Sequence, residues 1–546
     1  AVAFGFALAA VNFLPFLDYV DHSPRGGPGR GYEYATSWGM PAGEIVDVAV
    51  PEHAGYLETY RGTNPMKLHT EYVGATVLVL VALGFAYARR SRYFWFFLGL
   101  GLFFLTISLS GATPLYRLYY ELLPGTKKFR AAAIAFFMVS FSLVTMAAIA
   151  LEALAARLDE RRAARPAIRP NPGTEGIGGP APYVLGGMVV LAFVLGAVAQ
   201  EAGGARPDVP GPGGAAFRLT LFVVAVAGVL WFWLKGALAA RAAFVALAVL
   251  TVADLWIIDR KFFQTAPPPD ELFAADDVAN FLRSQPGRDR VWVLPFPGGA
   301  VYRGNAGNYL MYFDVDQAGG EHGNQLQRWN EYLGAGKEVY VDWHNFMERP
   351  AFMNAANVRY IVSGVEFQDP NLREVHRGSA LVYENLAALP RAYLVPQVVA
   401  TDSEDGALEV MRRDGFDPRA TAVVNGPAQR LPGGPLQGTA EVASYDPDRV
   451  VVRTRQNRPA LLVLADNHYE GWVARVDGRE APILRTNHTL RGVVVGAGEH
   501  EVVFSYEPGD LYTGLWITLG GLVLLAGYGI FLLVRMRGRV AAEPAG

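Results

Sequence analysis

The chain has 546 residues, of which 51% are hydrophobic and only 18% charged, fewer charges than the quarter usual for soluble proteins. A net charge of -3 says little about partners, because the placement of charges matters more than their sum. There is no cysteine, which excludes disulfides, thiolate metal sites and cysteine nucleophiles and leaves the compartment open.

The chain opens on Ala1 rather than Met, and Ala1–Leu17 is apolar from its first position. It has neither a basic leading region nor a small-residue cleavage site, so it reads as a membrane span and not as a signal peptide. The expectation is a span whose beginning is trimmed, in a fragment of a longer protein. Seven further stretches approach the roughly 20 apolar residues that a span needs: 72–88, 93–110, 131–151, 183–200, 217–234, 242–258 and 511–534. About eight spans are therefore expected. Soluble core helices are the alternative, but this many apolar runs would leave little polar surface to face water.

Basic residues set the direction. Arg89, Arg90 and Arg92 follow the second run, and Arg157, Arg161, Arg162, Arg165 and Arg169 follow the fourth. Lys235 and Arg241 separate the sixth and seventh, and Arg535, Arg537 and Arg539 follow the last. Simple alternation puts all four on one side, which the positive-inside rule makes cytoplasmic. Loops 18–71, 111–130 and 201–216 and the region 260–508 are then expected outside.

Loop 18–71 is too long for a mere connector. Its stretch Met40–Val50 reads either as a segment along the membrane surface or as a packed cap, and Trp38, Tyr56 and Tyr60 suit the headgroup level. His69 and Glu71 stand at the start of the second run, as headgroup contacts or as markers of the water boundary. In loop 111–130, residues 115–123 form a short interfacial helix that Pro124-Gly125 ends. Lys127, Lys128 and Arg130 follow, against the positive-inside trend. They would bind a phosphate well, and the alternative is snorkelling to ordinary lipid phosphates. Asp254, toward the outer end of the seventh run, is an intramembrane carboxylate and so a candidate headgroup contact or a structural group.

After Pro267-Pro268-Pro269 the composition turns soluble. An amphipathic helix is predicted over Asp270–Ser284, strands over Arg290–Pro295, Asn357–Val362 and Ala380–Tyr383, and a helix over Ser403–Arg413. This alternation suggests an α/β subdomain at 259–430. Residues 431–508 differ. Arg449–Arg455 and Glu499–Tyr506 alternate, Ala460–Ala465 is apolar, and Asp477-Gly478 after Trp472–Val476 is a hairpin signal. A β-sandwich is expected there, with Trp472 in its core. The division is thus a bundle at 1–258, an α/β subdomain at 259–430, a β-sandwich at 431–508, and a last span with its tail at 509–546. There is no phosphate-cradling glycine loop, no G-x-S-x-G elbow and no H-E-x-x-H. His322 with Glu321, and His468 with Asp466, lack a metal-ligand pattern and read as ordinary satisfied histidines.

Four stretches carry a resemblance. They are Leu-Pro-Gly-Thr-Lys-Lys-Phe-Arg at 123–130, Asn-Val-Arg-Tyr-Ile-Val at 357–362, Val-Tyr-Glu-Asn-Leu-Ala-Ala-Leu-Pro-Arg-Ala-Tyr-Leu-Val at 382–395, and Gly-Trp-Val-Ala-Arg-Val-Asp-Gly at 471–478 with Gly-Glu-His-Glu-Val-Val-Phe-Ser-Tyr-Glu-Pro at 498–508. In order and spacing the chain resembles the YfhO family of bacterial membrane proteins, assigned to the GT-C class of glycosyltransferases. The resemblance implies a multi-pass protein of the bacterial cytoplasmic membrane. It would transfer a sugar from a polyprenyl-phosphate carrier to a cell-envelope glycan or protein on the outer face. Positive charge would stabilise the departing lipid phosphate, a role the resemblance gives to Lys127, Lys128 and Arg130, with Arg117 beside them. It would also need a carboxylate base, expected in a missing N-terminal part. Glu33, Glu44 and Asp47 are outside carboxylates that no motif marks. No metal ligand set is expected, though a divalent cation fits the chemistry, and no nucleic-acid partner is expected. The rival readings are a non-catalytic membrane subunit whose outside domain binds a partner protein or glycan, and a transporter, for which the spans offer few polar residues.

Overall fold

A computed structural model describes residues 2–540 except 27–29, 56, 65–69, 164–178, 203–211, 295–301, 303–307, 321, 323–324, 337–341 and 428–429. His69, Tyr56, Glu321, Arg165 and Arg169 lie outside the described residues. The chain divides into two compact units, one of 1–27 with 267–546 and the other of 28–266.

The opening run is helical but interrupted. Helix α1 (Val2–Leu8) and helix α2 (Ala10–Asp21) meet at Ala9, and α2 carries Pro15. In the second unit α3 (Tyr32–Thr36) and a 3-10 turn (Ala42–Val48) precede α4 (Ala75–Tyr87) and α5 (Arg92–Ser108). Then come α6 (Leu115–Leu122), α7 (Phe136–Ala163), α8 (Ala181–Ala202), α9 (Pro212–Leu234) and α10 (Ala240–Asp259).

Among the described residues, four helices are long and apolar enough to cross a membrane: Ala132–Glu160, Gly214–Leu234, Ala240–Phe262 and Gly509–Arg535. The apolar helices Ala75–Tyr87, Arg92–Ser108 and Ala181–Leu195 are shorter. The run expected at 72–88 begins only at Ala75, because Gly74 at φ +91 turns the chain there, in a conformation that glycine adopts at little cost. Leu83, Leu154, Val223, Val226, Leu230 and Leu247 pack as a shared core. Small residues set the closest approaches. A Cβ on Gly84 would lie 2.3 Å from the Phe94 ring, and one on Gly101 would lie 3.2 Å from Ser142.

In the first unit the helix expected over Asp270–Ser284 is two pieces, α11 (Pro269–Leu272) and α12 (Asp277–Arg283). The break is a cap: the Asp276 carboxylate accepts from the Ala279 amide at 2.8 Å, which starts a new helix rather than continuing one. Strand β1 (Arg290–Val293), helices α13 (Gln327–Leu333), α14 (His344–Glu348) and α15 (Pro350–Ala355), and strands β2 (Val358–Ser363), β3 (Leu372–Arg377) and β4 (Leu381–Asn385) follow. They give a sheet ordered β1-β2-β4-β3, parallel only between β1 and β2.

The rest is β5 (Ala392–Val395), β6 (Gln397–Thr401), α16 (Gly406–Met411), β7 (Thr421–Asn425), β8 (Gly438–Asp446), β9 (Arg449–Gln456) and β10 (Ala460–Asn467). Then follow β11 (Trp472–Val476), β12 (Arg479–Ala481), β13 (Leu484–Thr486), β14 (Leu490–Val495), β15 (Gly498–Tyr506) and α17 (Gly509–Val540). A six-stranded sheet β5-β10-β14-β13-β7-β6 shares a core with a five-stranded sheet β12-β11-β15-β9-β8. Val452, Leu462, Leu464, Val493, Val502 and Phe504 fill the space between. The strands do not divide at residue 430 as expected: β5, β6 and β7 belong to the sheet of β10 and β14. Both Asp477 and Gly478 have positive φ, as a two-residue type I′ hairpin turn requires.

Nor is 1–258 one bundle. The opening helices pack on the last one, within the first unit. Thr518 accepts from the Val11 amide at 3.1 Å and donates to the Ala7 carbonyl at 3.2 Å, satisfying backbone groups that the break at Ala9 leaves exposed. Gly514 permits the contact, since a Cβ there would lie 2.4 Å from the Ala10 carbonyl. At its other end α2 meets the sheets: Tyr469 donates to Asp18 at 2.6 Å, and the Gln327 amide donates to the His22 carbonyl at 2.9 Å.

Candidate functional site

In the second unit the helix ends sort into two groups. The Met40 amide donates to Ser108 at the end of α5, and the Ala131 amide, just before α7, donates to Ser37. Glu52 pairs with Arg218 near the start of α9 and with Lys261 after α10. Loops 30–64 and 109–135 therefore form one layer, at the end where α4, α7 and α9 begin and α5 and α10 finish. Arg89 and Arg90 lie in the α4–α5 turn and Lys235 in the α9–α10 turn, at the helix ends away from that layer.

The basic loop is built on aromatic rings. Helix α6 stops at Leu122, and Thr126 closes it by donating to the Leu123 carbonyl at 2.8 Å. Tyr116 and Tyr120 on its inner face pack with Ala35 and Tyr32, and burial raises the Tyr116 phenol above its ordinary pKa. The Arg130 guanidinium lies 3.6 Å from the centre of the Trp38 ring and 5.4 Å from that of Tyr34. Arg117 lies over Tyr32 at 4.9 Å. A guanidinium stacked this way keeps its edge N–H donors in plane, where a phosphate can take two at once. Lys127 is committed differently: it pairs with Glu121 at 2.7 Å, and that hydrogen bond holds its ammonium above the ordinary lysine value. Lys128 is half-buried in the same turn. The loop expected to bind phosphate thus sets Arg117, Lys127 and Arg130 over aromatic rings, with Lys128 in the same turn.

A second group was named in the sequence without a role. The 3-10 turn sets Glu44 and Asp47 three residues apart, the spacing at which side chains of such a turn eclipse one another. Glu71 joins them, and one carboxylate oxygen from each lies within 4.8 Å of the others, all three residues being buried. Tyr60 donates to Glu44 at 2.5 Å, and the Ala54 amide donates to Asp47 at 3.0 Å. Three carboxylate oxygens this close are the donor type that a hard cation takes. No metal expectation arises from sequence reading here, because Glu71 lies far along the chain from the turn that carries Glu44 and Asp47.

Glu71, read as a headgroup contact or a boundary marker, and Asp254, read as a headgroup contact or a structural group, are both buried. Asp254 accepts from the Tyr72 hydroxyl at 2.7 Å and from the Ala75 amide at 2.8 Å, so it caps α4 from a neighbouring helix. Glu33 is exposed on α3, apart from the buried carboxylate group.

In the first unit, Asp466 is the centre of a buried ion network that sequence reading missed. Arg290 and Arg391 reach its Oδ1 at 3.1 and 2.8 Å, Arg491 reaches its Oδ2 at 3.3 Å, and Tyr445 donates to Oδ2 at 2.9 Å. Burial alone would raise this carboxyl, but Arg391, Arg290 and Arg491 outweigh burial and hold it below the ordinary range. No sequence signal links positions so far apart. No protein-family model, curated protein or solved structure matches the chain.

Proposed function

We propose that the chain is a membrane glycosyltransferase-like protein of the GT-C kind, related to the YfhO family, acting on a polyprenyl-phosphate-linked sugar and a cell-envelope acceptor. The observation that carries this reading is the aromatic shelf of Trp38, Tyr34 and Tyr32 under Arg130 and Arg117, at the loop end of an apolar helical unit. An isoprenoid chain suits the apolar helices, and its phosphate suits cations fixed at their polar end. Four helices of spanning length support membrane insertion; in this reading the shorter apolar helices and the opening run complete about eight crossings. The basic turns at the far end would be cytoplasmic, and the loop layer and sheet domain extracytoplasmic.

In this scheme Arg130, Arg117 and Lys128 bind and neutralise the leaving phosphate. The buried carboxylates of Glu44, Asp47 and Glu71 would serve as a proton acceptor or as ligands for a divalent cation, which would add electrostatic stabilisation of the leaving group. The test uses purified protein in nanodiscs with radiolabelled polyprenyl-phosphate sugars. Saturable donor binding and transfer of label to envelope glycan are expected. Absence of donor binding overturns the proposal. Binding without transfer would favour a non-catalytic subunit that presents its sheet domain to a partner protein or glycan.

A further inference from the structure

The first unit holds a second collection of cations, independent of the proposed transferase reading. Strands β13 and β14 place Arg485 and Arg491 directly opposite one another. Directly opposed residues of an antiparallel pair share a face, and like charges there destabilise the sheet. Each has one carboxylate partner: Arg485 pairs with Glu404 at 2.6 Å, and Arg491 takes one oxygen of Asp466, which Arg290 and Arg391 also use. Arg491 is only 4% exposed and lies 3.8 Å from the centre of the Trp472 ring, yet its Nε and Nη1 have no hydrogen-bond partner. A buried guanidinium with two unused donors is costly unless something accepts them.

Two further groups stand at the β13–β14 connection, where the His468 amide donates to the Thr489 carbonyl and Glu331 on α13, three residues past Arg328, pairs with His488. His468, just past β10, is half-buried, and its Nδ1 also has no partner. Arg328 on α13 is half-buried and, among the described residues, makes no ion pair. The imidazole of His468 is pushed down to about 4, first by burial and then by Arg328, Arg485 and Arg491. Three carboxylates border the group and act on Arg328: Glu404, which pairs with Arg485, Glu331, which pairs with His488 at 2.7 Å, and Glu470, which reaches toward His22 at 3.7 Å; Asp18 is held by Tyr469. The segments carrying Arg328 and His468 both dock on the end of the apolar helix α2.

We propose that Arg328, Arg485, Arg491 and His468 form an anion site for a phosphate group. The phosphate takes the unused donors of Arg491 and relieves the opposition of the two strand arginines. Its source is either a phosphomonoester lipid, whose tail would lie along α2, or a free phosphate or pyrophosphate.

The experiment measures binding to the whole chain in nanodiscs, with inorganic pyrophosphate as one probe and phosphatidate in the bilayer as the other. Saturable pyrophosphate binding in neutral phosphatidylcholine nanodiscs, weakened roughly tenfold by Arg328→Gln, supports a free anion. If phosphatidate abolishes that binding in the wild type, or is itself retained in an Arg328-dependent way, a lipid source is supported. A wild-type readout stands beside the variant: ¹³C-labelled His468 should titrate at higher pH with the anion bound. No binding of either probe, or binding unchanged in Arg328→Gln with an unmoved His468 titration, overturns the proposal. Loss of sugar-donor transfer plays no part in these readouts, so the two proposals fail separately.

Discussion

Asp254 on α10 accepts the amide proton of Ala75, the first residue of α4, at 2.8 Å. One helix thereby terminates the next, and the same oxygen accepts from Tyr72 at 2.7 Å. Asp254→Ala should destabilise the protein by about 1–3 kcal/mol, because it strands a buried amide and a phenol together. Thermal unfolding in nanodiscs measures this, and an unchanged midpoint would show that the cap contributes nothing.

Arg130 should matter through its plane as well as its charge. Arg130→Lys keeps the cation but loses the face-on packing against Trp38 and the paired donors. Donor-phosphate affinity is expected to fall roughly tenfold for the lysine and further for Arg130→Glu, with unfolding midpoints held. Equal affinity of arginine and lysine forms would remove Arg130 from the site.

Asp466 should be among the least replaceable side chains of the sheet domain. Asp466→Asn leaves Arg290, Arg391 and Arg491 buried around a neutral amide, at a cost of about 3–5 kcal/mol. Because the folded carboxyl sits below its ordinary value, its contribution is complete above about pH 4 and is lost as the pH falls through the folded value. Acid-unfolding curves should therefore steepen there in the wild type and not in the variant.

His468 works in the same direction over a higher pH window. Its folded value is about 4 against 6.5 in the unfolded chain, so the unfolded state binds the proton first. Stability should fall as the pH drops from about 6.5 to about 4 and level off below that for this group. The loss is about 2 kcal/mol, short of the full shift because the ring is partly solvated. His468→Gln should flatten this part of the wild-type curve, and identical curves would contradict the assignment.

What could be read from the sequence was whatever is local and periodic. The alternation of Arg449–Arg455 and Glu499–Tyr506 foretold β9 and β15, and Asp477-Gly478 foretold its hairpin. The apolar runs after Gly214 and Ala240 and near Gly509 are helices of spanning length. What stayed hidden depends on partners far along the chain. Strands β5 to β7 look like parts of an α/β repeat until β10 arrives to pair with β5 and β13 with β7. Glu44 and Asp47 gain meaning only when Glu71 joins them. Asp466 beside His468 gave no hint that three arginines would converge on it. The helix over Asp270–Ser284 failed for a local reason, since Asp276 begins a helix better than it continues one.

The docking of α2 on α17 also sets an order of events. Tyr469 and Asp18 are 451 residues apart, and Thr518 bridges a break at the opposite end of the chain. A ribosome would finish α2 long before either partner existed. Helices α1 and α2 must therefore wait, with the Val11 amide and the Ala7 carbonyl lacking the Thr518 hydroxyl, until α17 emerges. The unit that contains α1 and α2 is complete only once α17 is made, so arrest of synthesis before Gly509 should leave an assembly intermediate in which these helices lack their α17 partner.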